Sequence, residues 1–243
     1  MKFKSNLFKL KEVYRKLSVP QFTIVTGLIV IFLGTLILSS PLCSSSKVGL
    51  WEAFFTSTSA ITVTGLTIID VGIDLNIFGQ IFLAFMLLSG GLGLMAITTF
   101  LQGFVVKGTQ LRTRLDKGKT LDEFGVGGIG RTFQSIAITA TCIISFGAFV
   151  LYSFGFVNIT NNWERLWSSI FHSISAYNNA GFSLWSNSLQ DYRSNFLVNI
   201  IFIFLIIMGG LGWRVIDDIW SNKNNLSYRN LSLHSRLVIR TTL

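Results

Sequence analysis

The chain has 243 residues, half of them hydrophobic and only 13% charged, and its 22 phenylalanines and mean hydropathy of +0.58 are typical of a membrane protein. Each of four uncharged stretches reaches the roughly 20 residues that cross about 30 Å of hydrocarbon as a helix: residues 17–46, 75–106, 132–163 and 194–213. The net charge of +9 does not indicate nucleic-acid binding. Of the 20 lysines and arginines, 17 lie in three groups: 6 before residue 17, 6 in 107–131 and 5 from 214 onward. Because two uncharged stretches separate each group from the next, all three groups are expected on one side of a membrane, as the positive-inside rule describes.

The first half of the chain starts with a basic segment, which the positive-inside rule places in the cytoplasm. Residues 21–40 are predicted to be a retained membrane helix, because this apolar run is long for a signal peptide and no clear cleavage site follows it. An amphipathic segment at 51–61 and a polar segment at 62–65 then precede a second predicted span at 75–101.

The second half begins after a basic linker and has the same order of segments. These are a span at 131–157, an amphipathic segment at 163–177, a polar segment at 178–181 and a span at 196–213. The glycines at 125–130 match G-x-G-x-x-G, but no strand precedes them, so a flexible cytoplasmic entry to the span is favoured over a dinucleotide site.

An internal repeat explains this order. Shifting the chain by 116 residues places "WSSIFHSISAYNNAGFSL" under "WEAFFTSTSAITVTGLTI". Six positions are then identical: Trp51/Trp167, Phe55/Phe171, Ser57/Ser173, Ser59/Ser175, Ala60/Ala176 and Gly65/Gly181. With three further residues inserted, "GGLG" at 90–93 lies over "GGLG" at 209–212. The sequence therefore predicts two copies of one unit.

The middle of each unit is too short to cross a membrane. Residues 51–61 would make a helix of about 16 Å, half a bilayer, followed by polar, non-helical chain. Non-helical backbone at membrane depth persists only inside protein or beside a water-filled path. We therefore predict re-entrant loops that line a path. Backbone carbonyls, negative helix ends and a mildly acidic outer face all favour a cation.

The motifs "SAITVTGLTIIDVG" and "SAYNNAGFSLWSNSL", each followed by a span with "GGLG", closely resemble the filter loops of the Trk/Ktr/HKT potassium transporter superfamily. Within it, the chain resembles the membrane subunit of bacterial Ktr-type potassium uptake systems. The resemblance implies an all-α integral membrane protein with two tandem helix/pore-loop/helix repeats of the potassium-channel type and re-entrant half helices. It also implies a selectivity filter for K⁺ made by these backbone carbonyls: Thr62, Val63, Thr64, Gly65, Asn178, Asn179, Ala180 and Gly181.

The same resemblance implies the transported ion, the cellular location, the partners and the divisions of the chain. Plant relatives that prefer sodium have serine where this chain has Gly65, so K⁺ is expected as the transported ion, while coupling to Na⁺ stays open. The expected location is the bacterial plasma membrane, multi-pass and with a cytoplasmic N-terminus. Expected partners are lipid, a homodimer mate and a ring of nucleotide-binding regulatory subunits. The predicted divisions are 1–20 N-terminus, 21–106 first repeat, 107–130 linker, 131–220 second repeat and 221–243 start of a truncated third repeat.

Several alternatives for the function of the chain and of single residues stay open. Family members have four repeats and this chain has two, so it is either a truncated product that does not conduct alone or one of two chains around one pore. His172 and Ser183 allow the remote alternative of an intramembrane serine protease. The "GGLG" glycines are either helix-packing residues or a hinge: Gly90, Gly91, Gly93, Gly209, Gly210 and Gly212. Cys43 and Cys142 predict neither a disulfide nor a metal site.

Overall fold

The computed structural model describes residues 19–45, 48–91, 126–212, 215–216, 218–219 and 231–242. Eight α-helices are assigned within these ranges: α1 Val19–Leu38, α2 Leu50–Thr62, α3 Val71–Asp74, α4 Ile77–Gly91, α5 Val126–Val150, α6 Asn162–Tyr177, α7 Phe196–Leu211 and α8 Leu233–Thr242. A π-helix, Leu151–Gly155, extends α5, and a 3-10 turn, Gln190–Tyr192, precedes α7. In this part of the chain the one extended pairing is an isolated antiparallel bridge between Ser44 and Leu75, so the fold is all-helical.

Polar residues fix where the short helices begin. The Glu52 carboxylate accepts a 2.7 Å hydrogen bond from the Gly49 N–H at the start of α2. The Asn161 side chain accepts from the N–H groups of Trp163 and Glu164 at the start of α6. Because these bonds satisfy backbone donors that have no partner inside a helix, both helices start at defined residues.

Two helical hairpins make up the body of the described structure. In the first, α2 packs against α1 and α4, and in the second, α6 packs against α5 and α7. Glycines allow the outer helices of each hairpin to pack closely, α1 on α4 and α5 on α7. A Cβ on Gly34 would lie 2.5 Å from Met86, and one on Gly147 would lie 2.8 Å from Leu205. The hairpins meet where α4 packs against α6.

The outward faces of the helices are strongly apolar. Along α1, Ile24, Leu28 and Phe32 are each at least 62% exposed, and on α4 the side chains of Phe78 and Phe85 are 69% and 65% exposed. Such stripes are unusual on a soluble monomer and suit contact with lipid. Within the described residues, Gln134–Gly155 is long and apolar enough to cross a membrane, and three shorter apolar helices accompany it: Thr23–Leu38, Ile77–Gly91 and Phe196–Leu211.

The helix bounds agree closely with the predicted segments, with two differences. Helix α2 includes Thr62, which we expected in the non-helical segment, because the Thr62 hydroxyl donates to the carbonyl of Thr58 one turn earlier. Helix α5 begins at Val126, inside the segment expected to be a flexible linker. The rest of the linker and residues 92–101 of the second predicted span lie outside the described residues.

Candidate filter loops

The two polar segments at the C-terminal ends of α2 and α6 have the same unusual backbone. We call residues 62–65 loop 1 and residues 178–181 loop 2. In loop 1, φ is +55° at Val63 and +83° at Gly65, and in loop 2 it is +56° at Asn179 and +71° at Gly181. Positive φ at a β-branched valine is rare and strained, so packing around loop 1 must hold it. Left-handed residues thus alternate with others at matching positions of both loops.

Matching backbone N–H groups in the middle of both loops donate to the preceding helix. In loop 1, Val63 donates to the carbonyl of Ala60 at 3.3 Å and Thr64 to that of Ser59 at 2.9 Å. In loop 2 the residues 116 positions later do the same: Asn179 donates to Ala176 at 3.0 Å and Ala180 to Ser175 at 2.8 Å.

The carbonyl groups of the two loops lie on the side opposite to the bonded N–H groups. Alternating the hand of the backbone turns successive peptide planes so that N–H groups share one side and C=O groups the opposite side. Among the described residues, no donor is assigned to the carbonyls of residues 62–65 or 178–181. Each loop also follows the negative C-terminal end of a helix, which favours a cation nearby.

A serine in the last turn of each helix fixes the residue after the loop glycine. The Ser59 hydroxyl accepts a 3.0 Å hydrogen bond from the N–H of Leu66, and the Ser175 hydroxyl donates at 2.7 Å to the carbonyl of Phe182. Both serines are buried. The repeat alignment pairs these serines, but it gave no sign that they bind the loops.

Loops 1 and 2 lie against each other. A Cβ on Gly65 would overlap the carbonyl oxygen of Ala180, and one on Gly181 would lie 3.5 Å from the Cα of Gly65. Only glycine combines positive φ without strain with this close approach. The structure therefore brings the predicted filter residues of the two halves together.

Cavities lie at both ends of loop 2. A cleft of about 380 Å³ is lined by Gly65 and Gly181 together with Asp70, and no lysine or arginine contributes to its lining. A smaller cavity of about 130 Å³ is lined by Asn178 and Asn179. Loop 2 thus runs from the smaller cavity to the cleft.

The "GGLG" glycines allow helices to approach the ends of α2 and α6. A Cβ on Gly90 would lie 2.5 Å from the carbonyl oxygen of Ile61, and one on Gly209 would overlap that of Tyr177. Gly91 contacts the side chain of Asn178, whereas Gly210 has no atom closer than 3.9 Å to its Cβ position. Gly212 ends α7 with φ of +77° in open space. Gly93 lies outside the described residues.

His172 joins α6 to the chain after loop 2. Its Nδ1 lies 2.8 Å from the carbonyl oxygen of Ser168, which can only accept, so Nδ1 carries the proton. Nε2 then accepts from the Ser183 hydroxyl at 3.0 Å, and the Ser183 Oγ accepts from the N–H of Trp185. The ring also stacks on Trp185 at 4.2 Å. The sequence offered these two residues only as a remote catalytic alternative, and the return of the chain after loop 2 brings them into contact.

A second contact missed by the sequence links the two hairpins. The indole N–H of Trp167 on α6 donates to the side-chain oxygen of Gln80 on α4 at 2.7 Å. Nothing in the local sequence of Gln80 distinguishes it. Cys43 and Cys142 are both free thiols, and no cluster of metal-ligating side chains occurs in the described ranges.

Comparison with known proteins gives a consistent family. The profile of the TrkH family, described as a cation transport protein, matches residues 20–243. The chain is 32% identical over 92% of its length to the Ktr system potassium uptake protein B of Bacillus subtilis, and 31% identical over 92% to that of Vibrio alginolyticus. It is 32% identical over 96% to the potassium/sodium uptake protein NtpJ of Enterococcus hirae. The chain covers 49%, 49% and 51% of these proteins, about half of each.

Proposed function

The chain belongs to the TrkH family of cation transport proteins, and on that premise we propose that it takes part in potassium uptake across a bacterial plasma membrane. The family is one of transporters and not of enzymes. In this proposal the carbonyls of loops 1 and 2 form two parts of a selectivity filter, where they replace the water around a K⁺ ion.

One observation carries the proposal, namely that matched N–H groups of each loop bond to the preceding helix while, among the described residues, no donor is assigned to the loop carbonyls. A backbone carbonyl without a donor at membrane depth costs free energy unless water or a cation takes the place of the donor. The helix ends behind the loops and Asp70 at the cleft add negative potential, so a cation suits the site better than an anion. Glycine at Gly65 supports K⁺ over Na⁺ as the permeant ion.

The proposal includes the membrane arrangement. Residues 21–106 and 131–220 are taken as two helix/pore-loop/helix repeats with four spans, and α2 and α6 as re-entrant half helices. With 13 residues, α2 is about 20 Å long, shorter than a bilayer core, and α6 occupies the matching place in the second repeat. The basic segments 1–20 and 107–130 are placed in the cytoplasm by their charge.

The proposal also includes partners. The names of the Bacillus and Vibrio relatives refer to a system, which supports a regulatory partner, and we propose a cytoplasmic ring of nucleotide-binding subunits for that role. The name of the Enterococcus relative includes sodium, which supports Na⁺ as a candidate coupling ion. The other proposed partners are membrane lipid and a second copy of the chain.

The proposal is tested by ⁸⁶Rb⁺ flux into liposomes that contain the purified chain, and by growth of an uptake-deficient strain at low potassium. We expect flux that depends on the chain, and we expect Gly65→Ser to lower flux and discrimination against Na⁺, because a Cβ there overlaps Ala180 in the opposing loop. Gly49→Ser is the matched control, since Gly49 has φ of −69° and its Cβ position lies 3.4 Å from a flexible carboxylate.

The outcomes separate the alternatives. Absence of flux from the 243-residue chain would favour a half-transporter that does not conduct alone. Flux whose ion preference is unchanged by Gly65→Ser would overturn the filter assignment. Proteolysis abolished by Ser183→Ala while flux persists would support the protease alternative, which the His172–Ser183 contact keeps testable.

A further inference from the structure

Ser183 is a side chain of the cleft that the glycines of both loops line. It lies two residues after Gly181, so it is not among the residues that the sequence predicts for the filter. The cleft of about 380 Å³ is lined by Ser183 together with Gly65, Gly181 and Asp70. What the Ser183 hydroxyl presents to this cleft therefore affects which ion can bind there.

The hydrogen bonds of Ser183 leave only acceptor capacity for the cleft. A serine hydroxyl has one hydrogen to donate and two lone pairs that accept. The hydrogen of Ser183 goes to the Nε2 of His172 at 3.0 Å, and one lone pair accepts the N–H of Trp185 at 3.0 Å. No donor to the second lone pair is assigned among the described residues. An ion that reaches this oxygen from the cleft therefore meets an acceptor and not a donor.

His172 is held so that its Nε2 stays an acceptor. Its Nδ1 donates to the carbonyl of Ser168 at 2.8 Å, which leaves Nε2 without a hydrogen in the neutral ring. The ring is 1% exposed, and its centroid lies 5.7 Å from that of Phe156 and 4.2 Å from that of Trp185. Its hydrogen-bond and ring contacts in the described part of the chain include no carboxylate, so a charged ring would be costly there.

The first repeat lacks this arrangement. At the 116-residue shift, Ser183 matches Thr67 and His172 matches Thr56. Thr67 also lines the cleft, but no hydrogen bond of its hydroxyl is assigned within the described ranges, and the buried Thr56 hydroxyl has no partner there. An oriented hydroxyl oxygen therefore faces the cleft from the second repeat and not from the first.

We propose that the Ser183 oxygen is a ligand for a monovalent cation in the cleft and that His172 is its positioning residue. The inference rests on the proposed function, which makes K⁺ the cation. A neutral oxygen with a free lone pair can replace one water of K⁺, as the loop carbonyls are proposed to do. An anion is not a suitable ligand, because Ser183 offers it no hydrogen and Asp70 lies in the same lining.

Potassium binding tests this proposal separately from transport. The purified chain in detergent is titrated with KCl while choline chloride keeps the ionic strength constant, and the rise in melting temperature is recorded. We expect Ser183→Ala to raise the K⁺ concentration for half-maximal stabilisation about fivefold, as for the loss of one polar contact. Ser39→Ala is the matched control and should leave this concentration unchanged, because the Ser39 hydroxyl donates to the carbonyl of Leu36 at 3.2 Å and lies outside the cleft lining.

Variants of His172 separate positioning from packing. His172→Phe keeps an aromatic ring but removes the acceptor for Ser183, so it should weaken K⁺ binding by about the same factor as Ser183→Ala. His172→Gln keeps an acceptor oxygen on a side chain of similar reach and should retain more of the affinity. The double variant His172→Phe with Ser183→Ala should bind K⁺ no more weakly than Ser183→Ala, because His172 acts through Ser183.

The proposal is overturned if Ser183→Ala binds K⁺ as the unchanged chain does, or if the losses in the double variant add. Absence of K⁺-dependent stabilisation in the unchanged chain also overturns it. If His172→Phe does not fold, His172→Leu takes its place, since leucine also lacks an acceptor. Potassium binding that depends on Ser183 and His172 in a chain without ⁸⁶Rb⁺ flux would support this site and count only against transport by the chain.

Discussion

Loops 1 and 2 have the same backbone shape but different support. Loop 2 is enclosed: Asn178 is 6% exposed and Phe182, the residue after the loop, is 3% exposed. Loop 1 is open, with Thr62 exposed and Leu66, the match of Phe182, 60% exposed. The difference arises because loop 2 has α4 and loop 1 as neighbours, whereas the corresponding side of loop 1 has none among the described residues.

The side chains behind the loops also support loop 2 more than loop 1. His172 fixes the chain after loop 2 through Ser183. Its match in the first hairpin is Thr56, which is fully buried and whose hydroxyl has no hydrogen-bond partner among the described residues. Both loops share hydrogen bonds from their N–H groups to the helix carbonyls, and the side-chain bonds add support that varies between the loops. Three predictions test this comparison.

The largest effect is expected where the second span of each hairpin packs on the end of the loop helix. Gly209→Ser and Gly90→Ser should each lower the free energy of unfolding by about 1–3 kcal/mol or more, because the added Cβ overlaps a backbone carbonyl that cannot move freely. Gly209→Ser should be the more severe, since its Cβ position lies closer to Tyr177 than that of Gly90 does to Ile61.

The measurement is thermal unfolding of the purified variants in detergent, with Gly49→Ser as the control of the same chemistry. Equal melting temperatures for the two variants and the control would show that these glycines are not required for packing. A normal melting temperature with altered flux would favour the hinge interpretation of the same glycines.

A smaller effect is expected from the paired serines. Ser175→Ala should lower the free energy of unfolding by about 1–3 kcal/mol, because the carbonyl of buried Phe182 loses its donor. Ser59→Ala should cost less, because the N–H of exposed Leu66 can bond to water instead. Chemical denaturation of both variants gives the order, and a reversed order would contradict the claim that loop 2 is the more enclosed.

The smallest effect, and one of opposite sign, is expected at Thr56. Thr56→Val removes a buried hydroxyl that has no partner in the described ranges and keeps the shape of the side chain, so the free energy of unfolding should be unchanged or rise by about 1 kcal/mol. Thr35→Val is the control, because the Thr35 hydroxyl donates to the carbonyl of Ile31 at 2.8 Å and its loss brings no gain. Equal losses in both variants would mean that Thr56 has a partner in the membrane-embedded protein.

Much of the candidate site followed from local sequence. The polar runs at 62–65 and 178–181 interrupt apolar chain, and that interruption alone placed the loops within about one residue of the helix ends. The exception, Thr62, was misplaced because its hydroxyl bonds to the preceding turn, which a polarity pattern does not reveal. The Trp167–Gln80 contact was missed, and His172 and Ser183 were paired only as a remote alternative, because both contacts depend on how the chain returns on itself.

The sequence by itself determined the all-helical class, the duplicated order of segments and the glycines of both loops, because hydrophobic length, charge placement and repeated motifs act through near neighbours along the chain. Only the tertiary structure decided which side of each loop is bonded, that Gly65 lies against Ala180, and that His172 reaches Ser183. These features depend on the direction of backbone groups and on helix packing between hairpins more than a hundred residues apart, and residue type alone does not encode that direction.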